Sequence, residues 1–224
     1  MIEMKSSKRD IALIHSYLSM RRMVGILAIG LPFIIVLGGL VETGSIIQGS
    51  LSSYYYTNMR DFLVGLIFAV AIFLISYKGY ELIDDIVTNL SGVFALGIIA
   101  YPTSMFSNQV VRVGVFQTPD DVSQYIHLVF SILFLLSLAF NSIFLFTRHS
   151  GNPSREKKKR NKIYASCGIV MVMSVIGMVT YIVFYSHTFL AKGRPVLIFE
   201  TIALISFGVS WLVKGHTLFR DKTA

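Results

Sequence analysis

Long apolar runs constrain the fold of this chain more than any other feature, because six of them recur along its 224 residues. A helix that crosses the hydrocarbon core of a bilayer needs roughly 20 consecutive, predominantly apolar residues. The runs cover residues 23–41, 62–77, 86–106, 125–146, 164–185 and 196–213. The pattern predicts an all-α fold: a polytopic membrane helix bundle of six transmembrane helices, forming a single transmembrane domain over residues 1–224.

The composition favours a membrane protein and argues against the soluble classes. Hydrophobic residues make up 54% of the chain and charged residues only 14%, whereas soluble domains carry about 25% charge. The formal net charge of +8 is typical, on such a chain, of contact with anionic lipid rather than with nucleic acid. We therefore expect membrane lipids as partners and no nucleic acid, and oligomerisation stays open. The single cysteine, Cys167, excludes an intramolecular disulfide and a cysteine-based metal cluster.

The distribution of Lys and Arg predicts which loops face the cytoplasm. Sixteen of these residues lie before the first run, after the second, between the fourth and fifth, and after the sixth, whereas four lie in the opposite loops. Cytoplasmic loops carry the excess of Lys and Arg. Both termini are therefore predicted to be cytoplasmic, with residues 1–22 as a basic leader and residues 148–162 as a basic loop that contacts anionic headgroups. In a bacterium this would place the protein in the plasma (inner) membrane.

Pairs of small residues predict where helices approach closely. Gly65 and Ala69 lie in the second run, and Ser206 and Ser210 lie in the sixth. Small residues four positions apart share one face of a helix and let two backbones come near each other. These pairs are therefore predicted to mark helix contacts.

The predicted outer loop before the second span holds the most unusual polar residues. It combines hydroxyl groups, three consecutive tyrosines and an Arg-Asp pair. The candidate substrate-binding residues are Ser53, Tyr54, Tyr55, Tyr56, Arg60 and Asp61. In this hypothesis Arg60 meets a lipid phosphate and the tyrosines line a headgroup slot. The alternative is that the tyrosines form an aromatic belt at the membrane interface and that Arg60 pairs with Asp61 or Glu200.

Two ionisable residues lie within predicted spans, where a charged group is costly and suggests a function. His127 lies near the start of the fourth span, and Glu200 lies about one turn inside the sixth. They are the candidate catalytic residues, acting as acid and base. With Asp61 and His187 they offer two imidazoles and two carboxylates, a set that suits zinc or a similar metal. Structural roles and an ion-paired binding pocket are the alternatives, and the cofactor is left unknown.

A second polar group is predicted at the cytoplasmic ends of the second and third spans. It consists of Lys78, Asp84, Asp85 and Asn89, and Lys214 ends the sixth span at the same depth. We interpret these residues as a buried ion-pair network that braces the helices. The alternative is one end of a gate or proton path that begins at an outer acid.

Several short motifs extend over spans one to four and six. They are Ser-Leu-Ser-Ser-Tyr-Tyr-Tyr-Thr-Asn-Met-Arg-Asp-Phe-Leu-Val-Gly at 50–65, Ser-Tyr-Lys-Gly-Tyr at 76–80, Asp-Asp at 84–85, Asn-Leu-Ser-Gly at 89–92, Tyr-Pro-Thr at 101–103 and Phe-Gly-Val-Ser-Trp-Leu-Val-Lys-Gly at 207–215. This set resembles uncharacterised bacterial six-span membrane proteins of the Frag/DRAM/Sfk-like group. The resemblance implies a six-helix bundle and work on or around membrane lipids, and it implies no catalytic residue.

A more distant comparison is with the membrane hydrolase superfamily of alkaline ceramidases and adiponectin receptors. Their zinc sites use Ser, Asp and three His, two of them in H-x-x-x-H on the last helix. The last span of this chain carries Glu200 and no His, and six spans are predicted in place of seven. The comparison implies a metal-dependent intramembrane hydrolase as one alternative function.

The function predicted from the sequence is that of a multi-pass integral membrane protein with an outward-facing polar cavity that binds or remodels a membrane lipid. Its alternatives are a small-solute or proton-coupled transporter or channel, a non-catalytic membrane scaffold, and the metal-dependent hydrolase. The sequence leaves open whether the protein is an enzyme.

Overall fold

The computed structural model describes residues 2–43, 47–79, 81–104, 111–148, 151–185 and 193–215, with the side chains of the first helix described over residues 15–41. The described chain is built from long helices and contains one short hairpin. The helices are α1 (Ile2–Thr43), α2 (Arg60–Ser76), α3 (Leu82–Ala100), α4 (Asp120–Phe140), α5 (Arg155–Thr180) and α6 (Pro195–Lys214). The all-α prediction is confirmed.

Shorter elements complete the fold. A 3-10 helix (Ser52–Tyr56) precedes α2. The strands β1 (Arg112–Val113) and β2 (Thr118–Pro119) pair antiparallel just before α4. α4 and α5 each continue into one π-helical segment, Asn141–Leu145 and Tyr181–Tyr185 respectively. Neither the hairpin nor the π-helical segments were predicted from the sequence.

Five helices in the described part of the chain are long and apolar enough to cross a membrane. They are α1 over His15–Val41, α3, α4 with its π-helical segment, α5 with its π-helical segment, and α6. The remaining long helix, α2, has 17 residues. The structure therefore supports a multi-pass membrane protein, whereas the count of six spans and the cytoplasmic placement of the termini stay predictions.

α1 joins the basic leader and the first span in one continuous helix. Its 42 residues correspond to about 63 Å, roughly twice the hydrocarbon thickness of a bilayer. The helix is therefore longer than the roughly 20 residues that a membrane crossing needs. From Ile2 onward, the predicted leader (residues 1–22) is the first part of α1 and not a separate segment.

Two other helix boundaries differ from the apolar runs. α3 ends at Ala100, before the end of the predicted run at residue 106. The next residue, Tyr101, precedes Pro102, and the residue before a proline disfavours helical geometry. α5 begins at Arg155, where the hydroxyl of Ser154 accepts the N–H of Lys157. Most of the predicted basic loop is therefore the start of α5, which corrects its assignment as a loop.

The six helices form a closed ring in chain order. Each helix packs against the next one along the chain, and α6 closes the ring by packing along α1. Short connections between neighbouring helices favour this arrangement. Large buried side chains fill the inside of the ring: Leu74 of α2, Leu138 of α4, Met171 of α5, and Phe207 and Trp211 of α6.

α1 and α6 approach each other closely at two glycines. A Cβ atom added to Gly208 would lie 2.7 Å from the carbonyl oxygen of Gly25, and one added to Gly25 would lie 2.8 Å from that of Gly208. A Cβ added to Gly65 would meet no atom within 4 Å. The prediction of a helix contact at Gly65 is therefore wrong. Ser210 does mark a contact, since its hydroxyl lies 2.7 Å from that of Ser142 on the π-helical end of α4.

Candidate functional site

The segment of residues 47–59 lies across one end of the ring and is fixed to α6. The Nε–H of Arg194 donates to the carbonyl oxygen of Ile47 at 2.7 Å. The N–H of Leu197 donates to the carbonyl oxygen of Gly49 at 3.1 Å. Two anchors therefore hold the segment before its 3-10 helix begins. Its apolar side chains pack in a second core cluster: Leu51, Tyr54, Tyr55 and Met59 contact Leu31 and Ile35 of α1, Leu63 of α2 and Leu197 of α6.

The hydroxyl of Ser52 is the point where this segment, α4 and α6 meet. Its Oγ lies 2.9 Å from His127 Nε2 and 3.3 Å from Glu200 Oε1. Because both distances end at one oxygen, the imidazole and the carboxyl group lie within about 6 Å of each other. The other carboxyl oxygen, Glu200 Oε2, accepts the N–H of Leu51 at 2.6 Å. The structure thus brings the two candidate catalytic residues together through Ser52, which was not among the candidate residues predicted from the sequence.

The environment of His127 determines which of its ring nitrogens carries the proton. Nδ1 lies 2.8 Å from the carbonyl oxygen of Tyr101 and 3.2 Å from that of Ile98. These carbonyls belong to the last turn of α3, where helical partners run out. A carbonyl oxygen only accepts hydrogen bonds, so Nδ1 is the donor in neutral His127 and Nε2 is left as an acceptor. Nε2 can therefore accept the hydroxyl proton of Ser52, for which Glu200 Oε1 is the second acceptor.

A cavity of about 570 Å³ opens beside Ser52 between α4, α5 and α6. Its volume lies within the range of roughly 300–1,000 Å³ that is usual for ligand sites. The polar residues at one end are Ser52, Thr103, Gln124, His127, Arg194 and Glu200. The rest of the wall is mostly apolar and includes Leu128, Ile132, Val175, Met178 and Val179. The cavity is therefore amphipathic, and the Ser52 hydroxyl lies at its polar end.

Two further features border this cavity. The π-helical segment of α5 contributes Tyr181 and Ile182 to the wall, and π-helical turns frequently occur at functional sites. Ser131 of α4 also lines the cavity, and its buried Oγ has no hydrogen-bond partner among the described residues. An unpaired buried hydroxyl costs free energy.

The tyrosines of the 3-10 helix serve the protein itself. Tyr54 is 1% exposed, and its hydroxyl accepts the N–H of Gln48. Tyr56 donates its hydroxyl to the carbonyl oxygen of Thr103 at 2.6 Å, and burial raises the pKa of Tyr56 to about 12. Together with Tyr55, these residues lie outside the wall of the large cavity. The large cavity therefore gives no support to the expectation that the three tyrosines line a headgroup slot, which stays a prediction.

Arg60 and Asp61 also lie apart from the cavity. The Nη2 of Arg60 donates to the hydroxyl of Tyr55 at 2.8 Å, and its guanidinium carbon lies 4.5 Å from the centre of that ring. Both Arg60 and Asp61 are exposed. The cation that lines the cavity is Arg194 instead. The role of Arg60 at a ligand phosphate therefore stays a prediction that this cavity does not support.

The remaining candidates of the outer group have different outcomes. Ser53 lines the cavity, but its hydroxyl is bonded to that of Ser50 at 2.7 Å rather than to His127 or Glu200. Among the described residues, no group of three or more His, Cys, Asp or Glu side chains is arranged to hold a metal ion. His187 lies outside the described residues. The metal hypothesis therefore has no support from the residues that are placed.

The predicted inner polar residues lie at the opposite end of the bundle. Lys78 Nζ is 3.1 Å from Asp85 Oδ2, but the Lys78 side chain is 72% exposed. Asp84 is buried and lies 3.9 Å from Arg148. The buried Oδ1 of Asn89 has no hydrogen-bond partner among the described residues. The Lys78–Asp85 pair is therefore a surface ion pair rather than part of a buried network.

A buried charge at this end comes from the predicted leader. Arg21 of α1 is 3% exposed, and its guanidinium lies 4.3 Å from the centre of the Tyr17 ring. It donates to the hydroxyl of Tyr77 at 3.0 Å and to the carbonyl oxygen of Lys214 at 3.4 Å. Arg21 thus ties α1 to α6 and to the end of α2.

Comparison of the chain with protein-family models, with curated proteins and with solved structures gave no match. The resemblance to the Frag/DRAM/Sfk-like group therefore stays a prediction. The contacts of Ser52, His127 and Glu200 and the shape of the cavity beside them are the basis for a functional proposal.

Proposed function

We propose that this membrane protein binds an acyl lipid with an anionic headgroup in the cavity between α4, α5 and α6. The observation that carries the proposal is the amphipathic cavity of about 570 Å³ in a bundle of membrane-spanning helices. An acyl chain lies along the apolar wall, and the polar part of the lipid lies at Ser52, His127 and Glu200. Such a division of surface suits an amphiphile better than a small polar solute.

Arg194 supplies the charge for the headgroup. Its Nε–H is bonded to Ile47, and within the described part of the chain the Nη groups of this cavity-lining guanidinium are left for an anion. A guanidinium binds phosphate or carboxylate oxygens through two parallel hydrogen bonds. Its backbone has a φ of 52°, a left-handed conformation that is uncommon for a side chain other than glycine. Strain of this kind clusters at ligand-binding positions, which further supports the role of Arg194.

The residues along α4 favour binding over transport. Below Ser131, the next buried side chains of α4 are Phe134, Leu135 and Leu138, all less than 9% exposed. They belong to the main core cluster and separate the cavity from Asn141, about 21 Å along the helix from His127. A transport route for a polar solute would need polar groups or water in this layer.

We also propose that α2 is the sixth span. Its 17 residues extend about 26 Å, close to the thickness of a thin bilayer core. It runs beside α3: Tyr56, before α2, is bonded to Thr103, after α3.

Cysteine labelling tests this span in two variants, each with Cys167 replaced by alanine and one new cysteine, at Asn58 or at Lys78. The two cysteines should react with an impermeant thiol reagent from opposite sides of the membrane. Labelling of both from the same side would contradict a sixth span.

Filling the cavity should remove the lipid. Val179 lines the cavity and is 37% exposed, so a tryptophan there has room to project into it. For Val179→Trp we expect the fraction of protein that carries a tightly bound lipid to fall about tenfold, equivalent to roughly 1.4 kcal/mol of binding free energy. The measurement is native mass spectrometry of the full chain released from nanodiscs that contain an anionic phospholipid.

The matched control is Met173→Trp on the same helix. Met173 is 58% exposed and does not line the cavity. The Met173→Trp variant should keep the lipid occupancy of the wild type. If both variants keep the wild-type occupancy, or if both lose it to the same extent, the lipid is bound elsewhere on the bundle. Either result would overturn the proposal.

A further inference from the structure

We propose that Ser52 is a nucleophile that takes an acyl group from a carboxylic ester of the bound lipid, with His127 as its general base. The inference rests on the proposed lipid binding, because the ester must lie at the polar end of the cavity. It assigns a reaction to a serine, without a metal, and so differs from the metal-dependent hydrolase considered from the sequence.

The pairing of nucleophile and base has the geometry that the reaction requires. Ser52 Oγ and His127 Nε2 are 2.9 Å apart, within the range of about 2.6–3.2 Å for such a pair. The base is oriented by a third group, since Nδ1 is bonded to the carbonyl oxygens of Tyr101 and Ile98. These carbonyls take the place that a carboxylate occupies in a Ser-His-Asp triad. His127 is 7% exposed, so water competes little for its ring.

Glu200 acts as a positioning residue in this arrangement. Its Oε2 holds the N–H of Leu51, the residue before the nucleophile, at 2.6 Å. The hydroxyl of Ser52 has one proton, and Oγ lies closer to His127 Nε2 than to Glu200 Oε1 at 3.3 Å. Glu200 therefore fixes the turn that carries Ser52, and the proton passes to His127.

The reaction balances with the lipid ester and water as the reactants. Ser52 Oγ attacks the ester carbonyl carbon, and its proton moves to His127 Nε2. The bond from that carbon to the alcohol oxygen breaks, and His127 returns the proton to the leaving alcohol. Water then attacks the acyl-Ser52 ester through the same base, releasing a fatty acid and restoring the serine. No electron transfer occurs, and no further reactant is needed.

Covalent labelling of the full chain tests the role of Ser52. A long-chain alkyl fluorophosphonate phosphonylates an activated serine with loss of fluoride, and its chain suits the apolar wall. In nanodiscs, peptide mapping of the wild-type protein should locate the label on Ser52. Ser52→Ala should abolish labelling, and His127→Gln should slow it about 100-fold or more. The control is Ser76→Ala, at an exposed serine on α2, which should not change the labelling.

The outcomes separate this inference from lipid binding. Lipid occupancy is measured on the wild-type chain and compared with that of Val179→Trp, and the label is mapped on the same wild-type chain. A wild-type chain that carries lipid but is unlabelled, or is labelled at another serine, overturns the reaction and leaves lipid binding intact. Labelled Ser52 without bound lipid overturns the binding proposal. Mapping on the wild-type chain decides between these results even where a variant fails to fold.

Discussion

Replacement of Glu200 by alanine should destabilise the protein and release the bound lipid. The carboxyl group joins α6 to the 47–59 segment through the N–H of Leu51 and the hydroxyl of Ser52. Alanine would leave the Leu51 N–H without its acceptor, and an unpaired buried donor costs about 1–3 kcal/mol. We expect the free energy of unfolding to fall by about that amount, measured by thermal unfolding in detergent. Lipid occupancy should fall because Ser52 and the polar end of the cavity lose their position.

Glu200→Gln is the matched variant for this prediction. The amide oxygen can still accept the Leu51 N–H, so the stability should stay close to that of the wild type. If Glu200→Ala and Glu200→Gln unfold at the same temperature as the wild type, Glu200 does not hold the segment. The geometry of the polar end would then need a different explanation.

Gly208→Leu should destabilise the bundle by at least as much. The first side-chain atom would lie 2.5 Å from Ile29 Cγ1 and 2.7 Å from the carbonyl oxygen of Gly25. The second contact is with backbone, so it cannot be relieved by a rotamer change, and α1 must move away from α6. Overpacking of this kind costs typically about 1–3 kcal/mol, and more where the backbone must shift. Thermal unfolding measures the loss.

The control for this substitution is Gly65→Leu on α2, where an added Cβ meets no atom within 4 Å. Leucine there should leave the unfolding temperature nearly unchanged, because the new side chain enters open space. If Gly65→Leu proved as damaging as Gly208→Leu, the close approach of α1 and α6 would not explain the effect.

The helical architecture was predictable because the apolar runs are long and nearly free of charge. The close contacts were less predictable. Gly65 and Gly208 are both glycines in apolar helices, yet only Gly208 faces a neighbouring backbone. Which face of a helix meets a neighbour depends on the rotation of the whole helix in the ring, and a pair of small residues alone does not determine it.

The candidate site was predictable in part for a similar reason. His127 and Glu200 could be named because charged or ionisable groups within spans are rare. Ser52 could not be distinguished from Ser53, since the choice depends on the phase of the 3-10 helix that carries both. Arg194 was counted only as a loop charge, because the left-handed turn that holds it beside the cavity is a backbone property.

The most direct test of lipid binding is an experimental density map of the protein in nanodiscs that contain an anionic phospholipid. The proposal predicts an acyl chain along Leu128, Ile132 and Val179, with headgroup oxygens within hydrogen-bonding distance of Arg194 and the ester near Ser52. A map that resolves lipids around the outside of the ring, while the cavity is empty or closed by side chains, would contradict it.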